Sequence, residues 1–157
     1  MIVTPAEFAQ ISAQAIREYP FECCGFVLDR TTPTPDRLWL PCRNEQNELH
    51  RKDPKTYPRD ARTAYRIHGQ DVINMERLAL KEGYRLSVLY HSHVDVGAYF
   101  SPTDRESAKF NGEPLYPDTV YLVLSVRKRS AIEVDASAAF RWDAQEKDFT
   151  QLPFELP

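Results

Sequence analysis

Arg85-Leu-Ser-Val-Leu-Tyr-His-Ser-His-Val94 is the stretch on which the reading of the whole chain turns. Its opening, Arg85 to Tyr90, is largely apolar, holds a β-branched residue and has no Gly or Pro, the composition of a strand. Side chains alternate between the two faces of a strand, so His91 and His93, at i and i+2, point the same way. A strand ending in His-x-His delivers two imidazoles to one point at the edge of a sheet. Asp104 lies far enough on to return from the next element as a third ligand. Two nitrogens and one oxygen suit Zn²⁺, and three protein ligands leave a fourth position for water, the mark of a catalytic site. The same residues admit a plainer reading, in which the histidines are ordinary polar groups at a strand end. Ser101-Pro102-Thr103-Asp104 is also a helix start in its own right, with Ser at the N-cap, Pro at N1 and an acid at N3. Capping and catalysis are compatible for Ser101. They compete for Asp104, whose lone pairs are asked both to cap an amide and to bind a metal.

Far upstream, Glu22 completes the pattern Glu…His-Ser-His-x(7)-Ser-x-x-Asp, which resembles the JAMM motif of the JAB1/MPN/Mov34 metalloproteases. The segment Pro20-Phe-Glu-Cys-Cys-Gly25-Phe-Val-Leu28 is similar to that family's opening strand, and Cys42-Arg-Asn44 through Arg51-Lys-Asp-Pro54 is similar to its short prokaryotic members. The resemblance runs from the first helix to about Arg141. It implies one Zn²⁺ per chain on His91, His93 and Asp104, with a bound catalytic water. It implies Glu22 as general base and Ser101 as a donor to the tetrahedral intermediate. Taken alone, Glu22 would be read as a surface acid ahead of a strand. Val94 and Phe100 stand where the family has prolines, a departure that bears on the loop and the fit of substrate more than on the metal. A zinc deaminase, the nearest rival enzyme, needs His-x-Glu and Pro-Cys-x-x-Cys, and neither is present. A non-catalytic MPN scaffold is the rival from another class, but such members tend to lose ligands or the base.

At 157 residues the chain has the length of a single domain, 1–157, with a core of its own. A net charge of −3 gives no general argument for nucleic acid. No apolar run is long enough to cross a bilayer, and the N-terminus lacks the basic and apolar regions of a signal peptide. Cys23, Cys24 and Cys42 are too few for a disulfide framework; they read as reduced packing residues of a cytoplasmic protein, with Cys23 and Cys24 on opposite faces of a strand.

Thr4-Pro5-Ala6-Glu7 opens a helix with a capping box, and Pro20 stops it. Strands are expected over Cys23–Leu28 and Arg37–Cys42, with a loop-rich stretch from Asn44 to Pro58 that holds a short strand near Leu49–Lys52. Arg59–Glu82 has helical character with a break near Gly69, and Gly83 ends it. After the histidine strand come a helix from Pro102 to about Phe110, a loop, strands over Thr119–Val126 and Ser130–Trp142, and an edge strand within Asp148–Pro157. This order predicts an α/β fold with a mixed β-sheet flanked by helices, which agrees with the MPN (JAB1) fold, cytidine-deaminase-like in architecture, that the resemblance implies.

By the same resemblance, the substrate is a ubiquitin-like or sulfur-carrier β-grasp protein, cut at a peptide or isopeptide bond after its C-terminal Gly-Gly. A phage-tail-type peptidase is the alternative. Tyr99 and Phe100 are candidates for the wall of the substrate groove or for the core. Arg51–Arg66 holds six basic residues against two acids, a solvated face or a surface for an acidic partner.

Overall fold

The computed structural model describes residues 1–154. Its centre is a six-stranded sheet in the order β2-β1-β3-β6-β7-β8. The strands are β1 (Cys24–Arg30), β2 (Asp36–Cys42), β3 (Arg85–Val94), β6 (Val120–Lys128), β7 (Ile132–Asp143) and β8 (Asp148–Leu152). A small hairpin of β4 (Lys109–Phe110) and β5 (Glu113–Pro114) lies apart from it. Every pairing is antiparallel except β3 with β6, which run parallel, so the sheet is mixed as expected. A parallel pair needs a crossover rather than a turn. Here residues 95–119 make it, and they carry the third metal-site residue, Asp104.

Alternation along the strands splits the core in two. Cys24, Phe26, Leu89, Tyr121 and Val123 belong to one face, packed with Met75 of α3 (Gly69–Glu82) and with Phe100. Cys23, Val27, Val88, Tyr90, Leu122 and Leu124 belong to the other, covered by Ile11 and Ala15 of α1 (Pro5–Glu18). Cys23 and Cys24 therefore do point to opposite faces, and all three cysteines are free and buried. The capping box of α1 forms as the sequence indicates: Thr4 accepts from the Glu7 amide, and Glu7 from the Thr4 amide. Gly83 ends α3 in the left-handed region at φ 71°, where a Cβ would be strained.

Three expectations fail. Gln46–Lys52 is a helix, α2, not a loop with a strand at Leu49–Lys52. One leucine among polar residues carries no helical periodicity. What supports the helix is Glu48 in the first turn and His50, Arg51 and Lys52 in the last, charges that suit its dipole. Residues 59–68 are irregular rather than helical. Asparagine side chains claim this backbone instead: Asn44 donates to Ala64 O and accepts from the Arg66 amide, while Asn47 accepts from the Ala61 amide. The helix after Ser101, α4 (Pro102–Ser107), is shorter than expected and gives way to the β4–β5 hairpin. Asn111 and Gly112 turn it at φ 51° and 82°, the signature of a tight hairpin turn. β8 provides the expected edge strand; the end of the segment, 155–157, lies outside the described residues.

Candidate metal centre

His91 and His93 leave the same face of β3, on the side of Leu89, while Ser92 between them turns back toward β1. There Ser92 Oγ accepts from the Cys23 amide at 2.8 Å, and the Ser92 amide donates to Cys23 O at 3.0 Å. The strand does not stop at the histidines. Val94 still pairs with Val126, so both imidazoles project from regular backbone, His91 held between β1 and β6 and His93 by β6. The Nε2 atoms stand 3.2 Å apart. Asp104 of α4 completes the group, with Oδ1 3.3 Å from His91 Nε2 and Oδ2 3.3 Å from His93 Nε2. All three side chains are buried.

The donor set fits a cation. His93 Nδ1 lies 3.0 Å from Gly97 O, which can only accept, so the ring proton sits on Nδ1 and the Nε2 lone pair faces the cluster. Burial holds the His91 imidazole below its ordinary pKa, against the pull of Asp104, and so favours the neutral ring. Burial would raise the Asp104 carboxyl, but the adjacent His91 imidazole and the polar groups around it, Ser101 among them, outweigh it and hold it well below the usual range, so a carboxylate faces the two rings. Lone pairs thus converge on one point. A tetrahedral Zn²⁺ with Zn–N bonds near 2.0–2.1 Å would set its nitrogens about 3.3 Å apart, close to the separation found. His91 Nδ1 has no hydrogen-bond partner among the described residues; its ring is fixed by stacking on Tyr65, centroids 4.4 Å apart.

Asp104 does not have to choose between helix and metal. Oδ2 accepts from the Ser101 amide at 2.8 Å and Ser101 Oγ accepts from the Asp104 amide at 3.1 Å, a complete capping box. Both carboxylate oxygens still face the histidines. The cap fixes the carboxylate's orientation. It also leaves the Ser101 hydroxyl proton free to donate into the cleft.

Glu22 is not a surface acid. It is 5% exposed and lines the same 390 Å³ cleft as His93, Ser101 and Asp104. Its amide donates to Ala61 O and its carbonyl accepts from Asn44 Nδ2, so the irregular 59–66 segment and Asn44 place it. Burial and the negative charge of Asp104 push its carboxyl up to about 9, with Arg59 pulling the other way. Two buried carboxyls facing one cleft are themselves a reason for a cation there, since positive charge lets both ionise.

These are the ligand set and the setting of a JAB-type site, and a family model decides the point. The prokaryotic homologues of the JAB domain match residues 4–143. The chain belongs to this family. Among solved structures, the solution structure of protein DSY2949 from Desulfitobacterium hafniense is similar, with a TM-score of 0.62 and 16% identity over 95% of this chain and 87% of that one. At that identity the likeness bears on the fold alone, and it agrees with the MPN/JAB fold. No curated protein matches significantly.

In this JAB chain the two positions that depart from the family prolines have clear structural roles. Val94 is a sheet residue, and the turn after it is fixed by Asp95 (φ 57°), which accepts from Tyr19 Oη at 2.8 Å and from the Lys128 amide at 3.1 Å. Phe100 is 5% exposed and packs among Tyr121, Phe140 and Phe149. It is therefore a core residue and not part of the groove wall. Tyr99, 49% exposed, does line the cleft, edge-on to His93 at 4.8 Å between ring centroids. Tyr65 and the Gly97 carbonyl carry no sequence signal, and Arg59 shows only as one of the basic residues of the 51–66 stretch; Tyr65 and Arg59 both fall where the sequence reads as helix. No helix among the described residues is long and apolar enough to cross a membrane.

Proposed function

We propose that the chain is a zinc-dependent peptidase or isopeptidase, a single catalytic domain that cuts just after the C-terminal Gly-Gly of a ubiquitin-like or sulfur-carrier β-grasp protein. The convergence of His91 Nε2, His93 Nε2 and the Asp104 carboxylate in a cleft that Glu22 and Ser101 also line carries this reading. Zinc held by these three residues would supply Lewis acidity to the scissile carbonyl and to water. Glu22 takes a proton from the attacking water as the C–O bond forms and returns it to the leaving amine as the C–N bond breaks. Ser101 Oγ donates to the oxyanion. The walls of the cleft are the 59–65 segment on one side and the Val94–Ser101 loop with α4 on the other. β3 is paired with β6 as far as Val94 but with β1 only as far as His91, so the tail would enter between those walls, where the β1-side pairing has ended. Glycines in the tail would let its backbone come close to the ligands. Three free, buried cysteines accord with a reducing, cytoplasmic setting.

A phage-tail-type peptidase would share this chemistry and differ in substrate. A non-catalytic scaffold has no need of a base beside a complete ligand set. The experiment is a panel of β-grasp proteins extended beyond Gly-Gly, incubated with zinc-loaded protein and read by intact mass. Cleavage after the second glycine is expected, slowed about 10²–10⁴-fold in Glu22→Gln with zinc content unchanged. Cleavage indifferent to replacing both glycines with bulky residues would point to a broader peptidase. Equal rates for the Gln variant would make Glu22 a bystander, and zinc binding without any cleavage would favour the scaffold.

A further inference from the structure

A second cavity, of 510 Å³, adjoins the metal cleft. Arg59, Ala64, Tyr65, Thr103 and Ser107 line both, so the two are immediate neighbours. None of Glu22, His91, His93, Ser101 and Asp104 lines the second cavity, and the hydrolytic chemistry makes no use of it. Its lining is largely apolar and aromatic. Phe26, Leu89 and Tyr121 come from the sheet, Val72 from α3, and Leu115 and Tyr116 from the segment after β5.

Its rim is cationic. Arg59 and Arg66 border this cavity and Arg62 the metal cleft; all three are exposed. None of the three guanidinium groups has a carboxylate within 4.0 Å among the described residues. They belong to the 51–66 stretch of six basic residues against two acids, on a chain whose net charge is −3. A cationic rim on an otherwise acidic chain, around an apolar hollow beside the reactive cleft, selects a ligand with the opposite charge and an apolar side chain.

We infer that this cavity is a specificity subsite for a substrate segment that carries a bulky aromatic side chain next to a carboxylate residue, close to the scissile bond. The inference rests on the peptidase reading. The aromatic ring fills the cavity against Tyr65 and Tyr121, and the carboxylate sits at Arg59 and Arg66. Filling an apolar pocket discriminates strongly between a large side chain and a methyl, by about 100-fold. Exposed ion pairs on the rim add only about twofold to fivefold each and fade with salt.

Four labelled hexapeptides test it by fluorescence anisotropy on the whole Glu22→Gln chain, whose turnover is slow enough for binding to be read first. They are Glu-Phe-Gly-Gly-Phe-Glu and its relatives with Ala for Phe, with Lys for Glu, and with both, so each feature is offered on either side of the glycines. The Phe/Glu peptide is expected to bind about 100-fold or more tightly than the Ala/Lys peptide. Val72→Trp, which narrows only this cavity, should abolish the preference for Phe and keep that for Glu. Leu115→Asn, at a position 50% exposed, should do the same without adding charge and guards against a misfolded Trp variant. Arg66→Glu should cancel or invert the preference for Glu over Lys and keep that for Phe. Four peptides that bind alike, or a Phe preference that survives both cavity variants, would overturn the subsite. Zinc-loaded wild type that binds the Phe/Glu peptide in this pattern yet cuts neither it nor any of the Gly-Gly-extended β-grasp proteins would overturn the peptidase reading and leave the subsite standing.

Discussion

Asp104 shows how one carboxylate serves structure and chemistry together. Its Oδ2 accepts from the Ser101 amide while both oxygens face the imidazoles, so the bond that starts α4 also aims the ligand. Ser101 has the reciprocal pair of duties, through the cap it gives the Asp104 amide and through its hydroxyl proton. Ser101→Ala should therefore lose on two separate scales. Thermal or urea unfolding should show a loss of about 1 kcal/mol from the missing cap, and turnover should fall about 10²–10³-fold from the missing oxyanion donor. Ser101→Gly, a tolerated N-cap that has no hydroxyl to donate, should recover most of the stability and little of the rate. A rate that tracked stability across both variants would reduce Ser101 to a capping residue. At this scale most of the site was legible in the sequence. His91, His93 and Asp104 lie within one strand–loop–helix unit whose periodicities say where side chains point, while Ser101 reads locally as a cap and takes its catalytic role from the family resemblance. Glu22 came only through the family resemblance, because its partners Asn44 and Ala61 are remote in sequence and no local pattern buries it. Tyr65 was not legible for the same reason.

At the scale of elements, β1 explains why a glycine follows Cys24. Gly25 pairs with Tyr90, and a Cβ at Gly25 would meet Tyr90 Oη at 2.2 Å and the Leu40 carbonyl oxygen at 2.6 Å. Tyr90 cannot easily step aside, because its hydroxyl accepts from Trp39 Nε1 and donates to Gln14 of α1. Gly25→Ala should destabilise the fold by roughly 1–3 kcal/mol, as overpacking does, with chemical denaturation as the measure; a neutral effect would mean the strands slide apart at little cost. The start of α1 gives a pH-dependent prediction. Burial would raise the Glu7 carboxyl, but hydrogen bonds from Arg37 and Thr4 outweigh it and hold it below its usual 4.5. A depressed carboxyl stabilises the fold above its unfolded pKa and loses that contribution as the pH falls through the folded value. Glu7→Gln should thus be less stable than wild type by about 1 kcal/mol at neutral pH, with the gap closing in acid below pH 4.5. Urea melts at pH 7 and pH 3 would show it, and a gap of equal size at both would rule out the ion pair as its source. Strands and strongly capped helices were readable because alternation and capping are local. α2 and the 59–68 segment were not, because their backbones answer to Asn44, Asn47 and Gln46 across the fold rather than to their own periodicity.

On the scale of the whole molecule, the sheet gives the site its rigidity. β3 lies between β1 and β6, with α1 over one face and α3, α4 and the aromatic cluster of Phe100 over the other. The one parallel pairing, β3 with β6, makes the chain cross over, and the crossover brings Asp104 back to the histidines. The mixed sheet and the order of its elements followed from the sequence; the cleft wall did not, since it is built from the segment whose structure is non-local. All of the proposed chemistry depends on a metal at the end of β3, and that is open to direct measurement. Protein purified without chelators, or reconstituted with Zn²⁺ and desalted, should carry one zinc per chain by elemental analysis, and His93→Ala, folded by circular dichroism, should carry almost none. Equal zinc in the two proteins would contradict the account.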